Sequence, residues 1–233
     1  MLERLDHVRI GAREPASAAV DYAALLAVPA APAPAREGAW RLEAGGVGLL
    51  LVPADQDAEG LQALVFAGQG PSPGLDRTRG VAIEVAEASG REVAVAASGA
   101  LGVERLDHAV VLTTDFDAAL RLYRDQLGLR LALDRSFPKR GVRILFFRLA
   151  GVTIEVAGPL DPPSVLAQDH FGGLAWRGPD LLGWRERLAS EGFDVSDHRP
   201  GHKPGTRVCT VKDRVHGVPT LLIGSDGSDG ADG

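Results

Sequence analysis

The chain repeats itself, and this repeat constrains its fold more than any other feature. Residues 2–8 read Leu-Glu-Arg-Leu-Asp-His-Val and return as residues 103–109, Val-Glu-Arg-Leu-Asp-His-Ala, after an offset of 101 positions. Tyr22 and Tyr123 keep the same offset. This period is far longer than the roughly 20–50 residues of a solenoid repeat. The sequence therefore predicts two homologous domains in tandem, residues 1–99 and 103–224.

The second copy has the pattern of two consecutive β-α-β-β-β units. Residues 107–113 alternate and are rich in Val and Leu, which predicts a strand, and residues 116–127 place their apolar side chains on one helical face. The remaining strands of the two units are predicted at 129–134, 142–149, 152–156, 173–177, 207–212 and 219–223. A second helix is predicted over 179–192. The fold class expected is α+β, with mixed sheets and the helices outside them.

The first copy is shorter than the second. Residues 68–77 form a Gly- and Pro-rich stretch at the place where the second copy has its Trp184 helix. We expect the first copy to be a degenerate domain that lacks this helix and exposes one face of its sheet. Such a face needs the other domain or a second chain to cover it, so a homodimer is expected.

Composition and charge exclude several classes of protein. The net charge is -6, from 31 acidic and 25 basic residues with no basic cluster, which argues against a nucleic-acid partner. No apolar run reaches the roughly 18–20 residues of a membrane span, and the N-terminus lacks signal-peptide features, so a cytoplasmic location is expected. Residues 225–233 are rich in Ser, Asp and Gly and are expected to form a disordered tail.

Some residues that carry reactive or aromatic groups have structural explanations. Cys209, the only cysteine, lies within a predicted strand, so it is expected to be buried rather than a nucleophile. Phe146 and Phe147 are neighbours on one strand and must point to opposite faces, so only one can line a ligand site. Trp184 lies on a helix and is expected to pack against the outer face of the sheet.

Three segments of the second copy follow one another in a recognisable order and spacing. They are residues 106–111 (Leu-Asp-His-Ala-Val-Val), 123–129 (Tyr-Arg-Asp-Gln-Leu-Gly-Leu) and 151–156 (Gly-Val-Thr-Ile-Glu-Val). With them the chain resembles the vicinal oxygen chelate superfamily of glyoxalases, bleomycin-resistance proteins and extradiol dioxygenases. The resemblance covers nearly all of 103–224 and, more faintly, 1–97. It implies cup-shaped sheets, each formed by two units side by side, with the ligand inside the cup.

The resemblance also implies a divalent metal site, in a degenerate form. In this family up to four side chains hold the metal, one on the first and one on the last strand of each unit. In the second copy these positions fall on His108 and Glu155, which match, and on Gly173 and Leu221, which cannot bind a metal. His170, three residues before Gly173, would join His108 and Glu155 as a metal ligand if the strand enters the cup earlier. The alternative is a metal-free pair that forms hydrogen bonds inside a ligand pocket.

The first copy keeps less of this ligand set than the second. His7 matches the first ligand position, but the other three positions fall on Leu50, Ala63 and Ala94. We therefore expect His7 to be structural and the functional cup to be that of residues 103–224. His216, which precedes the last strand, is a further candidate to approach the pair.

Two functions are compatible with the resemblance. One is a metal-assisted lyase, isomerase or dioxygenase that acts on a small oxygenated molecule, with His108 as ligand and Glu155 as ligand or general base. The other is a metal-free small-molecule binding or resistance protein of the bleomycin-resistance type. Both hypotheses predict a small-molecule ligand, and both leave the substrate and the metal open.

Overall fold

The computed structural model describes residues 1–87, 101–161, 163, 165 and 167–225. The described part of the first copy contains the α-helix α1 (Pro15–Leu26) and the strands β1 (Leu2–Ala12), β2 (Ala30–Pro32), β3 (Trp40–Ala44), β4 (Val47–Pro53), β5 (Gly60–Gly68) and β6 (Ala82–Ala86). Residues 69–81, all of which are described, form turns and irregular segments without a helix.

The second copy contains more elements than the first. Its strands are β7 (Arg105–Leu112), β8 (Arg130–Phe137), β9 (Val142–Leu149), β10 (Val152–Pro159), β11 (His170–Arg177), β12 (Arg199–Pro200), β13 (Thr206–Val211) and β14 (Thr220–Ser225). Its α-helices are α2 (Phe116–Ala119) and α3 (Leu181–Ser190). No helix in the described part of the chain is long and apolar enough to cross a membrane.

The predicted helix over 116–127 is not a regular α-helix. Asp115 caps α2 by accepting a hydrogen bond from the Ala118 N–H at 2.9 Å, and α2 then continues as a π-helix, Leu120–Gln126. The wider turn persists to the end, where the Leu127 N–H donates to the Leu122 carbonyl five residues back at 2.9 Å. The apolar spacing therefore predicted the helix and its face but not this change of turn.

The strands form two mixed sheets. One sheet has six strands in the order β2-β3-β4-β1-β5-β6, and the other has eight in the order β12-β13-β14-β11-β7-β10-β9-β8. In the eight-stranded sheet the groups β7-β10-β9-β8 and β11-β14-β13-β12 run outwards from the centre in the same order. This is the arrangement expected of two paired β-α-β-β-β units, and the α+β prediction is confirmed.

Strand boundaries differ from the predicted ones in a few places. β11 begins at His170, three residues before the predicted start, and β8 extends to Phe137. The two-residue strand β12 was not predicted, because Arg199–Pro200 has no alternating pattern and is defined only by its pairing with Val208 and Arg207 of β13. The pairing partners of a strand decide where it ends, and they are not visible in its own sequence.

The chain divides into two compact units, and each takes segments from both copies. The described residues of the first unit are 1–8, 62–87 and those within 108–173. Those of the second unit are 9–61, 101–107 and 174–225. The boundary between domains 1–99 and 103–224 stays a prediction. Ser225 ends β14, and the rest of the expected tail, 226–233, lies outside the described residues.

In the first unit, one face of the strands β7, β10 and β9 is packed under the α2 segment. The side chains on this face alternate with those of the other face, and Ala109, Val111, Ile154, Val156 and Phe147 are all buried. Phe147 contacts Tyr123 of the π-helix, with 5.3 Å between the ring centroids. This packing fixes which side of the sheet remains for a ligand.

In the second unit, Trp184 of α3 is completely buried. Its indole N–H donates to the Leu25 carbonyl near the end of α1 at 2.8 Å. The ring also lies over the backbone of Gly178, where a Cβ would be 2.6 Å from Trp184 Cε3. A glycine is therefore needed at position 178 to let the indole pack this closely.

Candidate functional site

His108 and Glu155 come together on one face of two neighbouring strands. β7 and β10 run parallel, with Thr153 of β10 opposite His108 and Glu155 opposite Val110. Because side chains alternate along a strand, Glu155 points to the same side as Thr153 and His108. His108 Nδ1 lies 3.6 Å from Glu155 Oε1, and the two side chains are 13% and 21% exposed. This separation is longer than that of a direct hydrogen bond.

Apolar side chains flank Glu155 on the same face. Val110 is opposite Glu155 on β7, and Phe146 is opposite Glu155 on β9. Both are half-buried, whereas Phe147, on the other face, is completely buried. Only Phe146 therefore lines the face that carries His108 and Glu155. A polar pair within a half-buried apolar surface is typical of small-molecule sites.

The third position of the implied ligand set has no donor, for a reason that lies in the backbone. Gly173 has φ of 131°, in the region that favours glycine over residues with a side chain. Its neighbour Gly172 packs closely against β7, where a Cβ would lie 2.7 Å from Val110 Cγ1. A side chain at position 172 would therefore clash with Val110, and one at position 173 would strain the backbone.

The fourth position, Leu221, belongs to an apolar cluster of the second unit. Leu221 is partly buried and packs against Ala175, Val208 and Ile223. No metal donor is present in this cluster.

His170 begins β11 and is exposed, but its neighbour Asp169 is buried. Asp169 accepts hydrogen bonds from Thr113 Oγ1 at 2.9 Å and from Arg79 Nε at 3.1 Å. Burial raises the pKa of Asp169, although both hydrogen bonds act in the opposite direction. No local sequence pattern joins Asp169 to Thr113 and Arg79, which are 56 and 90 positions away.

His216 is engaged within the second unit. Its Nε2 is 2.9 Å from Asp21 Oδ2, and its Nδ1 is 3.7 Å from Glu59 Oε1. Arg214 Nε donates to the other oxygen of Asp21 at 2.7 Å. The carboxylates of the first copy thus face both ring nitrogens, so the structure does not support recruitment of His216 to the His108–Glu155 pair.

The first copy has no comparable pair among its described residues. His7 Nδ1 is 2.9 Å from Oδ2 of its neighbour Asp6. Leu50 packs against the buried cluster of Ala33, Ala39 and Val52, and Ala63 is completely buried. Ala94 lies outside the described residues. A histidine held by the adjacent carboxylate is consistent with a structural role.

Cys209 is buried on β13 as predicted. Burial raises the pKa of its thiol to about 11, which disfavours the nucleophilic thiolate. The site chemistry therefore rests on the His108–Glu155 pair.

The residues that the structure describes do not fit a resident divalent metal. Across the described ranges, no group of three or more His, Cys, Asp or Glu side chains is placed to hold a metal ion. His108 and Glu155 supply two donors, whereas protein metal sites of this kind use three or more. The other two positions of the implied ligand set carry no donor, because Gly173 has a backbone conformation that favours glycine and Leu221 packs in an apolar cluster.

Comparisons with known proteins agree with this fold. The family model of the Glyoxalase/Bleomycin resistance protein/Dioxygenase superfamily matches residues 107–210. The ethylmalonyl-CoA/methylmalonyl-CoA epimerase of Cereibacter sphaeroides is 30% identical over 100 residues, which are 40% of this chain and 75% of the relative. The chain belongs to this superfamily, and the resemblance to vicinal oxygen chelate proteins is confirmed.

Solved structures extend the similarity to both copies. A variant of 4-hydroxymandelate synthase from Streptomyces coelicolor aligns with 97% of this chain and 94% of its own, at a TM-score of 0.68 and 12% identity. This likeness shows the fold. Methylmalonyl-CoA epimerase from Mycobacterium tuberculosis covers 56% of this chain and 93% of its own, at a TM-score of 0.45 and 26% identity.

Proposed function

We propose that the protein binds a small oxygenated molecule at the His108–Glu155 pair, and that this pair orients the ligand without a resident metal ion. The observation that carries the proposal is the 3.6 Å approach of His108 Nδ1 to Glu155 Oε1 on the half-buried apolar face. An imidazole and a carboxylate at this separation offer a hydrogen-bond donor and an acceptor to one ligand oxygen group.

The apolar surroundings support binding of a molecule rather than of a hydrated ion. Phe146 and Val110 flank Glu155 on the two neighbouring strands, and both retain part of their surface exposed. A ligand that covers them gains from removing apolar area from water, and the polar pair then fixes its orientation. The pair supplies two metal donors, His108 and Glu155, and this number favours the metal-free function over a metal-dependent one.

A second candidate is an enzyme that moves a proton at a carbon next to a carbonyl group. The 30% identity to an epimerase, over 75% of that protein's length, favours it. In this reaction the Glu155 carboxylate would take the proton as the C–H bond breaks, and the electron pair would pass to the carbonyl oxygen. The His108 N–H would donate a hydrogen bond to that oxygen. Return of the proton to carbon would complete the cycle without any oxidant or reductant.

A thermal-shift panel tests the binding proposal. The panel contains small hydroxy acids, keto acids, dicarbonyls, phenols and acyl thioesters, and each compound is tested on protein purified without an affinity tag. We expect compounds that stabilise the wild-type protein to lose their effect in His108→Ala and in Glu155→Ala. His7→Ala is the matched control, because it changes the equivalent residue of the first copy, and it should respond like wild type. The proposal would be overturned if the compounds that stabilise the wild-type protein also stabilised both variants. It would also be overturned if no compound of the panel stabilised the wild-type protein.

Two further measurements separate the candidates. Elemental analysis of the same protein should find no stoichiometric metal, and a stoichiometric metal lost in both His108→Ala and Glu155→Ala would contradict the metal-free proposal. Incubation of each hit in D₂O, followed by mass spectrometry, detects proton exchange at carbon. Exchange that requires Glu155 supports the enzyme, and hits that bind without exchange support the binding protein.

A further inference from the structure

We infer that the ligand of the His108–Glu155 site carries an anionic group, a carboxylate or a phosphoryl group, which pairs with Arg148 and Arg130. This inference rests on the proposed function and adds the chemical class of the ligand. Its basis is the pairing register of β7, β10, β9 and β8, all of which lie next to one another in the eight-stranded sheet.

The register aligns side chains in rows that cross these four strands. The polar row contains His108, Thr153, Arg148 and Arg130, each directly opposite the next. The apolar row, two residues further along β7, contains Val110, Glu155, Phe146 and Leu133. Directly paired residues point to the same side of a sheet, so both rows share the face of the site.

The polar row ends in two arginines that oppose each other on neighbouring strands. Both are exposed, and within the described residues neither makes an ion pair or a side-chain hydrogen bond. Like charges directly opposite each other destabilise a sheet, and the other arginine of β9, Arg143, is paired with Asp134 at 2.7 Å. An anion bound between Arg148 and Arg130 would remove this repulsion and accept charge-assisted hydrogen bonds.

Protection of the sheet edge does not account for both charges. β8 is the edge strand, and arginine on an edge strand hinders unwanted pairing with another chain. This explains Arg130, but Arg148 is on β9, which is paired on both sides. Arg148 therefore needs another explanation.

The spacing of the rows fits one small molecule. Adjacent strands are about 4.8 Å apart, so the backbone of Arg148, two strands from His108, is roughly 10 Å away. The long side chain of Arg148 spans part of the distance to the His108–Glu155 pair. Thr153 lies between His108 and Arg148 in the polar row. Phe146 and Leu133 lie beside Arg148 and Arg130 in the apolar row, and Leu133 is 47% exposed. A ligand with an oxygen group, an apolar body and an anionic end would contact all three features.

The test uses 4-benzoylbutyrate, which combines a ketone, an aryl ring and a carboxylate. Its neutral methyl ester and the corresponding phosphonate are the comparison probes, and affinities are measured by NMR titration at low salt. We expect both anions to bind wild type at least about tenfold more tightly than the ester, a difference of about 1.4 kcal/mol. The tighter of the two anions identifies the charged group. In Arg148→Gln and in Arg130→Gln, the preference for the anions over the ester should fall below about threefold. Arg143 lies on the opposite face of β9, so the control variant Arg143→Gln should retain the preference of wild type.

The variants distinguish failure of this inference from failure of the proposed function. Equal binding of acid and ester to wild type, with both weakened by His108→Ala, would overturn the anionic subsite and leave the proposed function standing. Binding of the probes that is unaffected by His108→Ala would overturn the proposed function. Lack of binding by all three probes would count against both.

Discussion

Replacement of Thr113 by Val tests how the buried Asp169 carboxylate is stabilised. Thr113 follows β7 and is 3% exposed, and its hydroxyl donates to Asp169 Oδ1 at 2.9 Å. The Thr113 hydroxyl oxygen also accepts a hydrogen bond from the Asp115 N–H at 3.0 Å, just before α2 begins. Valine has nearly the same shape, so the substitution removes both hydrogen bonds with little change in packing.

The expected cost follows from the burial of the acceptor. A hydrogen bond to a charged group contributes about 1.5–3 kcal/mol. Among the described residues, the Asp169 carboxylate would keep Arg79 as its side-chain partner in a site that water hardly reaches. We therefore expect Thr113→Val to lower the free energy of unfolding by about 2–3 kcal/mol. For a protein of this size that corresponds to a fall in Tm of roughly 4–12 °C.

Urea and thermal unfolding followed by circular dichroism measure the effect. The control is Thr114→Val, which removes the neighbouring and exposed hydrogen bond to the Ala167 carbonyl at 3.2 Å and should cost less than about 1 kcal/mol. A double-mutant cycle with Asp169→Asn should give a coupling energy above about 1 kcal/mol. If Thr113→Val costs no more than Thr114→Val, the hydroxyl does not stabilise the carboxylate and the reasoning is refuted.

Three further outcomes are expected. Gly173→Ala should cost about 1–3 kcal/mol in urea unfolding because its φ of 131° disfavours a side chain, and an unchanged stability would contradict this. The Cys209 thiol, with its pKa raised to about 11, should react with iodoacetamide at pH 8 far more slowly in the folded than in the unfolded protein; equal rates would refute its burial. Light scattering should give a dimer, because residues 69–81 provide no helix to cover the first copy, and a monomer at high concentration would count against it.

The family resemblance, rather than periodicity, implied that His108 and Glu155 lie on neighbouring strands, and the structure has them on β7 and β10. Strand alternation separated Phe146 from Phe147, and the structure confirms that separation. Alternation depends on residues close together in the chain, so the sequence pattern captures it.

Other parts of the structure depend on contacts that periodicity does not encode. The Arg79–Asp169 and Asp21–His216 pairs join the two copies across 90 and 195 residues, and no spacing rule links such distant positions. The two arginines of the polar row become neighbours only through the register of β8 and β9, which includes a shift between Leu131 and Leu133. A single sequence does not fix where such a shift occurs.

The central claim is that the His108–Glu155 pair of the second copy, without a resident metal, contacts the ligand. The most direct measurement is the dissociation constant of the strongest panel compound for wild type, His108→Ala and His7→Ala, each with and without EDTA. We predict that His108→Ala weakens binding at least about tenfold, the loss of roughly 1.4 kcal/mol of polar contact, and that neither His7→Ala nor EDTA changes it. Binding that is lost in His7→Ala or on addition of EDTA, and kept in His108→Ala, would contradict the account.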